Sequence, residues 1–125
     1  MQALEIGSAL VAAAAAGSEA EKAFVENYYA ENVVSIEGGD MGEMPARIEG
    51  IEAIRGKHDW WFENNDVHGT EAEGPFIGSR EDQFIVRFSL DATPKGGERN
   101  VMHEVGLYTV ADGKIVQEEY LYLMG

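Results

Sequence analysis

The stretch from Val101 to Leu123, VMHEVGLYTVADGKIVQEEYLYL, constrains the fold more than any other. Two runs rich in β-branched and aromatic residues flank Ala111-Asp112-Gly113. Asp-Gly between such runs is the strongest short-range signal for a β-hairpin. The register of that hairpin decides which side chains share a face, because a slip of one residue exchanges the two faces of a strand. A three-residue turn with Gly113 in the left-handed region pairs Val110 with Lys114, Val105 with Glu119 and His103 with Leu121. One face then carries His103, Val105, Leu107, Thr109, Ile115, Gln117, Glu119, Leu121 and Leu123, and the other Glu104, Tyr108, Lys114, Glu118, Tyr120 and Tyr122. The first is the more apolar and is expected to point inward. A two-residue type I′ turn would instead set Glu119 beside Gly106 and put Glu104 in the place of His103.

The elements before the hairpin change from a helical to a strand period. Ala3, Ile6, Leu10 and Ala13 recur at helical spacing over Ala3–Ala16, and Gly17 is placed to end that helix. Ser18 with Glu21 three residues on reads as a capping box for a second helix, whose stripe is Ala20, Phe24 and Tyr28. Val33–Glu37 reads as a strand, and Gly38–Gly50, with four glycines and Pro45, as a loop. A third helix follows from Ile51 to about Asn64, with Ile51, Ile54, His58, Trp61 and Phe62 on one face. Arg55, Lys57, Asp59 and Glu63 fall around the rest of that helix. Gly69, Gly74 and Pro75 interrupt Val67–Ile77, which predicts a bent or bulged strand with His68, Thr70, Ala72 and Phe76 on one side. In Gln83–Asp91, Phe84, Val86, Phe88 and Leu90 alternate onto one face. Helices segregated from a mostly antiparallel sheet make an α+β domain, and 125 residues fit a single one, residues 1–125.

Composition narrows the function classes. Without cysteine there is no thiolate metal site, no disulfide and no cysteine nucleophile. A formal net charge of -14 argues against nucleic acid and anionic membrane surfaces as partners. The apolar run Ala9–Ala16 follows Glu5 and no basic residue, unlike a signal peptide, and no window approaches a membrane span. A cytoplasmic, soluble protein is expected. The three histidines show no metal-ligand spacing, and no glycine-rich phosphate loop is present, so neither metal nor cofactor is expected.

In the favoured register Glu119 lies among Val105, Leu107 and Leu121. Desolvation there would raise its pKa toward the range of a general acid or base. His103, diagonally across, can orient it or pass a proton. Trp61, Phe62, Phe84 and Phe88 are expected to wall an apolar pocket, with Gln117 and Tyr28 reaching it. His58 reads as a core histidine with one nitrogen satisfied.

Four stretches carry a resemblance: FVENYYAENVVSI (Phe24–Ile36), GIEAIRGKH (Gly50–His58), HGTEAEGPF (His68–Phe76) and LYTVADGKIVQEEY (Leu107–Tyr120). In this order and spacing the chain resembles the SnoaL-like family of the nuclear-transport-factor-2-like superfamily. The resemblance implies a strongly bent, cone-shaped sheet whose pocket is closed by the three helices. It also implies a homodimer through the convex face, for which Tyr108, Tyr120 and Tyr122 are the expected aromatics. Glu119, just before Tyr120, resembles the catalytic carboxylate of the epoxide-hydrolase-like members, and the pair with His103 resembles that of the cyclases. Tyr28 is placed as the hydrogen-bond donor of the isomerases, and His68 at the strand that reaches the family pocket. The Arg-x-Asp of the epoxide hydrolases is replaced by Arg87-Phe88-Ser89, which leaves an isomerase- or cyclase-like reaction. The expectation is a pocket for a small, largely apolar molecule, with proton transfer by Glu119 and His103. The alternative is a non-catalytic binder or dimeric scaffold, since fold does not fix function.

Overall fold

Alanine has the highest helix propensity, and the first element follows from it. The computed structural model describes residues 2–38 and 45–123. Helix α1 spans Gln2–Ala16, buries Ala3, Ile6, Leu10, Ala13 and Ala14, and ends where the Gly17 N–H donates to the Ala13 carbonyl at 3.1 Å. Helix α2, Ser18–Tyr28, buries Phe24 and Val25. Its N-cap is Gly17 with no side-chain cap, so the expected capping box does not form. Helix α3, Ile51–Asn64, is closed by the side-chain amides of Asn64 and Asn65, which donate to the Trp60 and Trp61 carbonyls at 2.8 and 3.0 Å. No helix among the described residues is long and apolar enough to cross a membrane.

The strands are β1 (Tyr29–Glu37), β2 (Arg47–Glu49), β3 (Asn65–Phe76), β4 (Gln83–Pro94), β5 (Asn100–Ala111) and β6 (Lys114–Tyr122). They form one open sheet in the order β2-β1-β6-β5-β4-β3, antiparallel except for the parallel β1–β6 pair. β1 starts directly at the end of α2, four residues earlier than β-branched composition suggested. β2 lies in the expected loop Gly38–Gly50, of which residues 39–44 fall outside the described residues. The helices cover one face of the sheet, α1 over β3 and β4 and α3 beside β1. Phe84, Val86, Phe88 and Ala92 of β4 are buried beneath them, on the expected face.

The hairpin differs from expectation in an instructive way. Ala111 pairs with Lys114 and Val110 with Ile115, so the turn has two residues, Asp112 and Gly113. Both have positive φ (52° and 75°), as a type I′ turn requires. Beyond the turn, Thr109 pairs with Gln117, which leaves Val116 as a bulge. The ladder continues as Tyr108–Glu118, Leu107–Glu119 and Glu104–Tyr122, a register that neither simple turn produces. The bulge restores one continuous buried face, Gly106, Tyr108 and Val110 on β5 with Ile115 and Glu118 on β6. The expected inward face is thereby reversed on β5 and, beyond Val116, on β6, while Ile115 stays inward as expected. The physical reason is size: a buried tyrosine removes roughly 150–250 Å² from water, more than the valine and leucines it displaces from the inner face.

Strand β3 carries the expected irregularities, at His68 and at Gly74-Pro75. The first bulge moves His68 out of line with Thr70 and Ala72, and Phe76 is half-exposed.

A side chain at Gly113 would have to adopt the left-handed region. Gly113→Val is therefore expected to cost about 1–2 kcal/mol, read as a lower urea midpoint with an unchanged slope.

Candidate functional site

Between the helices and the inner face of the sheet lies a cavity of about 530 Å³, within the usual size of a small-molecule site. Its walls are apolar. Leu10, Phe24 and Val25 come from α1 and α2, Trp60 and Trp61 from α3, and Phe88 and Leu90 from β4. Its floor is polar, built by β1, β5, β6 and one turn of α3.

Glu118 is the centre of that floor and is only 2 % exposed. A buried carboxylate is stable only where donors replace its water. Tyr29 and Tyr120 donate to Oε1, the latter at 3.0 Å, and Ser35 donates to Oε2 at 2.7 Å. Lys57 lies 3.7 Å from the same carboxylate, donates to Ser35 Oγ at 2.9 Å and forms an ion pair with Glu37. Its ammonium also sits 4.6 Å above the Tyr120 ring. Tyr108 extends the chain by donating to Tyr120 at 3.1 Å, and Tyr122 donates to Glu37 at 2.9 Å. Burial, then the charge of Glu118, holds the hydroxyls of Tyr29, Tyr108 and Tyr120 well above the ordinary tyrosine range. Burial and Glu37 do the same to Tyr122. All four stay protonated donors. Gly106 makes room for this arrangement, because a Cβ there would lie 2.7 Å from the Tyr108 ring.

Glu104 is different. It faces the cavity from β5, paired with Tyr122 on one side and Phe88 on the other. Among the described residues no hydrogen bond reaches its carboxyl. Burial, chiefly, and then the charge of Glu37 raise its pKa from 4.5 to about 7, against the opposing pull of Lys57. A carboxyl open to an apolar cavity and half-ionised near neutrality suits proton transfer.

The residues expected from sequence divide sharply. Trp61 and Phe88 line the cavity, as do Phe62 and His58. Glu119, His103 and Gln117 do not: the bulge at Val116 and the two-residue turn put them on the opposite face of the sheet. His103 is exposed, with Nδ1 3.0 Å from Ser89 Oγ. His68 is also exposed and bonds Thr93 through Nε2 at 2.8 Å. Tyr28 packs on Phe24, with ring centroids 4.9 Å apart, and its neighbour Tyr29 reaches the cavity instead. Lys57, placed by helical spacing among the outer residues, points in. Tyr108, Tyr120 and Tyr122 line the cavity, so the aromatic basis for a homodimer through the outer face falls away. His58 is not the half-satisfied histidine of the sequence reading. Among the described residues neither ring nitrogen has a hydrogen-bond partner, and Nε2 lies 3.4 Å from Glu21. Glu104 was expected to face inward only with the two-residue turn, and Glu118 was missed, because apolarity, and not side-chain size, chose the inward face. The weight of three tyrosines on one face was the available signal. Among the described residues no three His, Asp or Glu side chains form a metal-holding group.

Two stability measurements separate these roles. Glu118→Ala leaves three hydroxyls without their acceptor and Lys57 with one carboxylate in place of two, and is expected to cost about 3–5 kcal/mol, against at most about 0.5 kcal/mol for Glu119→Ala. Glu104 gives a pH signature. Its native pKa is raised, so between 4.5 and about 7 the native state binds more protons than the unfolded one. Stability therefore falls as pH rises through that window, by at most about 3 kcal/mol. Glu104→Gln should flatten this part of the urea-unfolding profile.

The comparisons with known proteins agree with this geometry. A sequence profile of SnoaL-like domains matches residues 11–122. A Mesorhizobium loti protein, described as a candidate SnoaL-like polyketide cyclase, is 40% identical, with 94% of this chain and 97% of that one covered and a TM-score of 0.83. A Xanthomonas campestris protein with a cystatin-like fold shares 15% identity over 99% of this chain and 92% of its own (TM-score 0.79). A computationally designed 17-OHP binder shares 20% over 98% and 94% (TM-score 0.71). The last two show the fold alone. No curated protein matches the chain. With nearly its whole length matched, and with helices and sheet enclosing a polar-floored cavity, the chain belongs to the SnoaL-like family.

Proposed function

We propose that the protein binds a small, largely apolar molecule in the cavity and moves a proton on it, with Glu104 as the acid–base group. The observation that carries this reading is the Glu104 carboxyl, open to an apolar cavity and without a hydrogen-bond partner among the described residues. A base of this kind is most effective where its pKa lies near the working pH. The tyrosines and Lys57 fix the shape and field of the floor, so that little reorganisation accompanies the transfer. The description of the Mesorhizobium loti relative as a candidate cyclase supports an isomerase- or cyclase-type reaction. The Glu119–His103 pair has no part in it, because both lie across the sheet from the cavity.

One observation favours a second reading, that of a non-catalytic binder. Every hydroxyl and the ammonium on the floor is already engaged within the protein. A benzisoxazole that opens when one ring C–H proton is removed distinguishes the two. Catalysis by Glu104 predicts ring opening whose rate rises with pH around 7. Glu104→Gln should lower that rate by about 10²–10⁴-fold while the probe still binds. Binding without ring opening in the wild type would establish the second reading, and no binding would end both.

A further inference from the structure

The charges around the cavity do not balance. Glu21, Glu37, Glu104 and Glu118 line it, and Lys57 is the one lysine or arginine among the described residues that does. The five arginines are spent elsewhere: Arg47, Arg55, Arg80, Arg87 and Arg99 each pair with a carboxylate at the surface. Lys57 is itself shared between Glu37 and Glu118. Hydroxyl donors satisfy the lone pairs of Glu118 but do not remove its charge. Glu104, next to this cluster on β5, has no ion pair of its own among the described residues and shares the field of Lys57 with Glu37 and Glu118. Phe88 neighbours Glu104 across the strands, and Trp60 and Trp61 of α3 line the same cavity; aromatic rings attract a cation over their faces.

We infer that the ligand of this cavity carries a cationic nitrogen on an apolar ring skeleton, with Glu104 as its counter-ion and the tryptophans as its wall. This inference rests on the reading of the cavity as a small-molecule site and names the class of molecule it takes. An anionic ligand would meet uncompensated carboxylates at short range, where low dielectric magnifies repulsion. A neutral one would leave Glu104 desolvated and unpaired. The charge also suits the chemistry. At a carbon beside an iminium group, the C–H bond breaks and the proton goes to the Glu104 carboxylate. The C–H electron pair becomes a C=C bond as the C=N π pair withdraws onto nitrogen. A carboxylate–cation pair thus becomes a carboxylic acid and a neutral enamine, and no new charge is buried.

Three matched fluorescent probes test the inference on the intact protein: 9-anthracenemethylamine, 9-anthracenemethanol and anthracene-9-carboxylate, titrated at about pH 8, where Glu104 is ionised. The amine is expected to bind at least about tenfold more tightly than the alcohol, and the carboxylate more weakly than either. Glu104→Gln should bring amine and alcohol to within about threefold of each other. Glu119→Gln, on the outer face, should leave the ranking unchanged. Equal binding of all three, or a ranking that survives Glu104→Gln, overturns the inference and leaves the cavity reading standing. Binding by none of the three overturns both.

Discussion

Burying the carboxylate of Glu118 is the most demanding act in this fold, and much of the rest is arranged around it. An isolated buried charge costs more than most other features of a small domain, so it survives only inside a complete set of donors. Those donors come from three separate elements: Tyr29 and Ser35 of β1, Tyr120 of β6 and Lys57 of α3. Each is useful only if the others are in place. The network therefore fixes how far β1 lies from β6 and which turn of α3 faces the sheet.

The same arrangement separates two kinds of carboxylate. Glu118 and Glu37 are held by hydroxyls and an ammonium. Glu104 shares their field without their donors, and its proton affinity rises accordingly. Two acids in one cavity thus differ by environment and not by residue type. Structure and reactivity are divided between them.

The helices, the face of β4 and the irregular course of β3 were legible in sequence, because each rests on a short period or on glycine and proline at particular places. Phe84, Val86 and Phe88 alternate without interruption, and nothing in the structure disturbs them. The hairpin was legible as a hairpin but not in its register. A single extra residue at Val116 leaves no compositional trace, yet it reverses the face of every residue from Glu118 onward. Glu119 and Glu118 are chemically identical in a sequence, and one bulge decides which is buried. Tyr29 was hidden for a related reason: it continues a helical pattern up to the point where the backbone changes to β1.

The parallel pairing of β1 with β6 has a consequence for how the cavity comes into being. Tyr29 and Ser35 meet Glu118 across 89 and 83 residues of chain, among the longest loops a domain of this size can close. Contacts so distant in sequence are slow to form, since their loop entropy is lost before they stabilise anything. During synthesis β1 emerges well before β6 and waits, unpaired on that side, until β6 is released. The cavity floor is thus completed only once β6 has been made, and a chain cut before β6 lacks Glu118 and Tyr120.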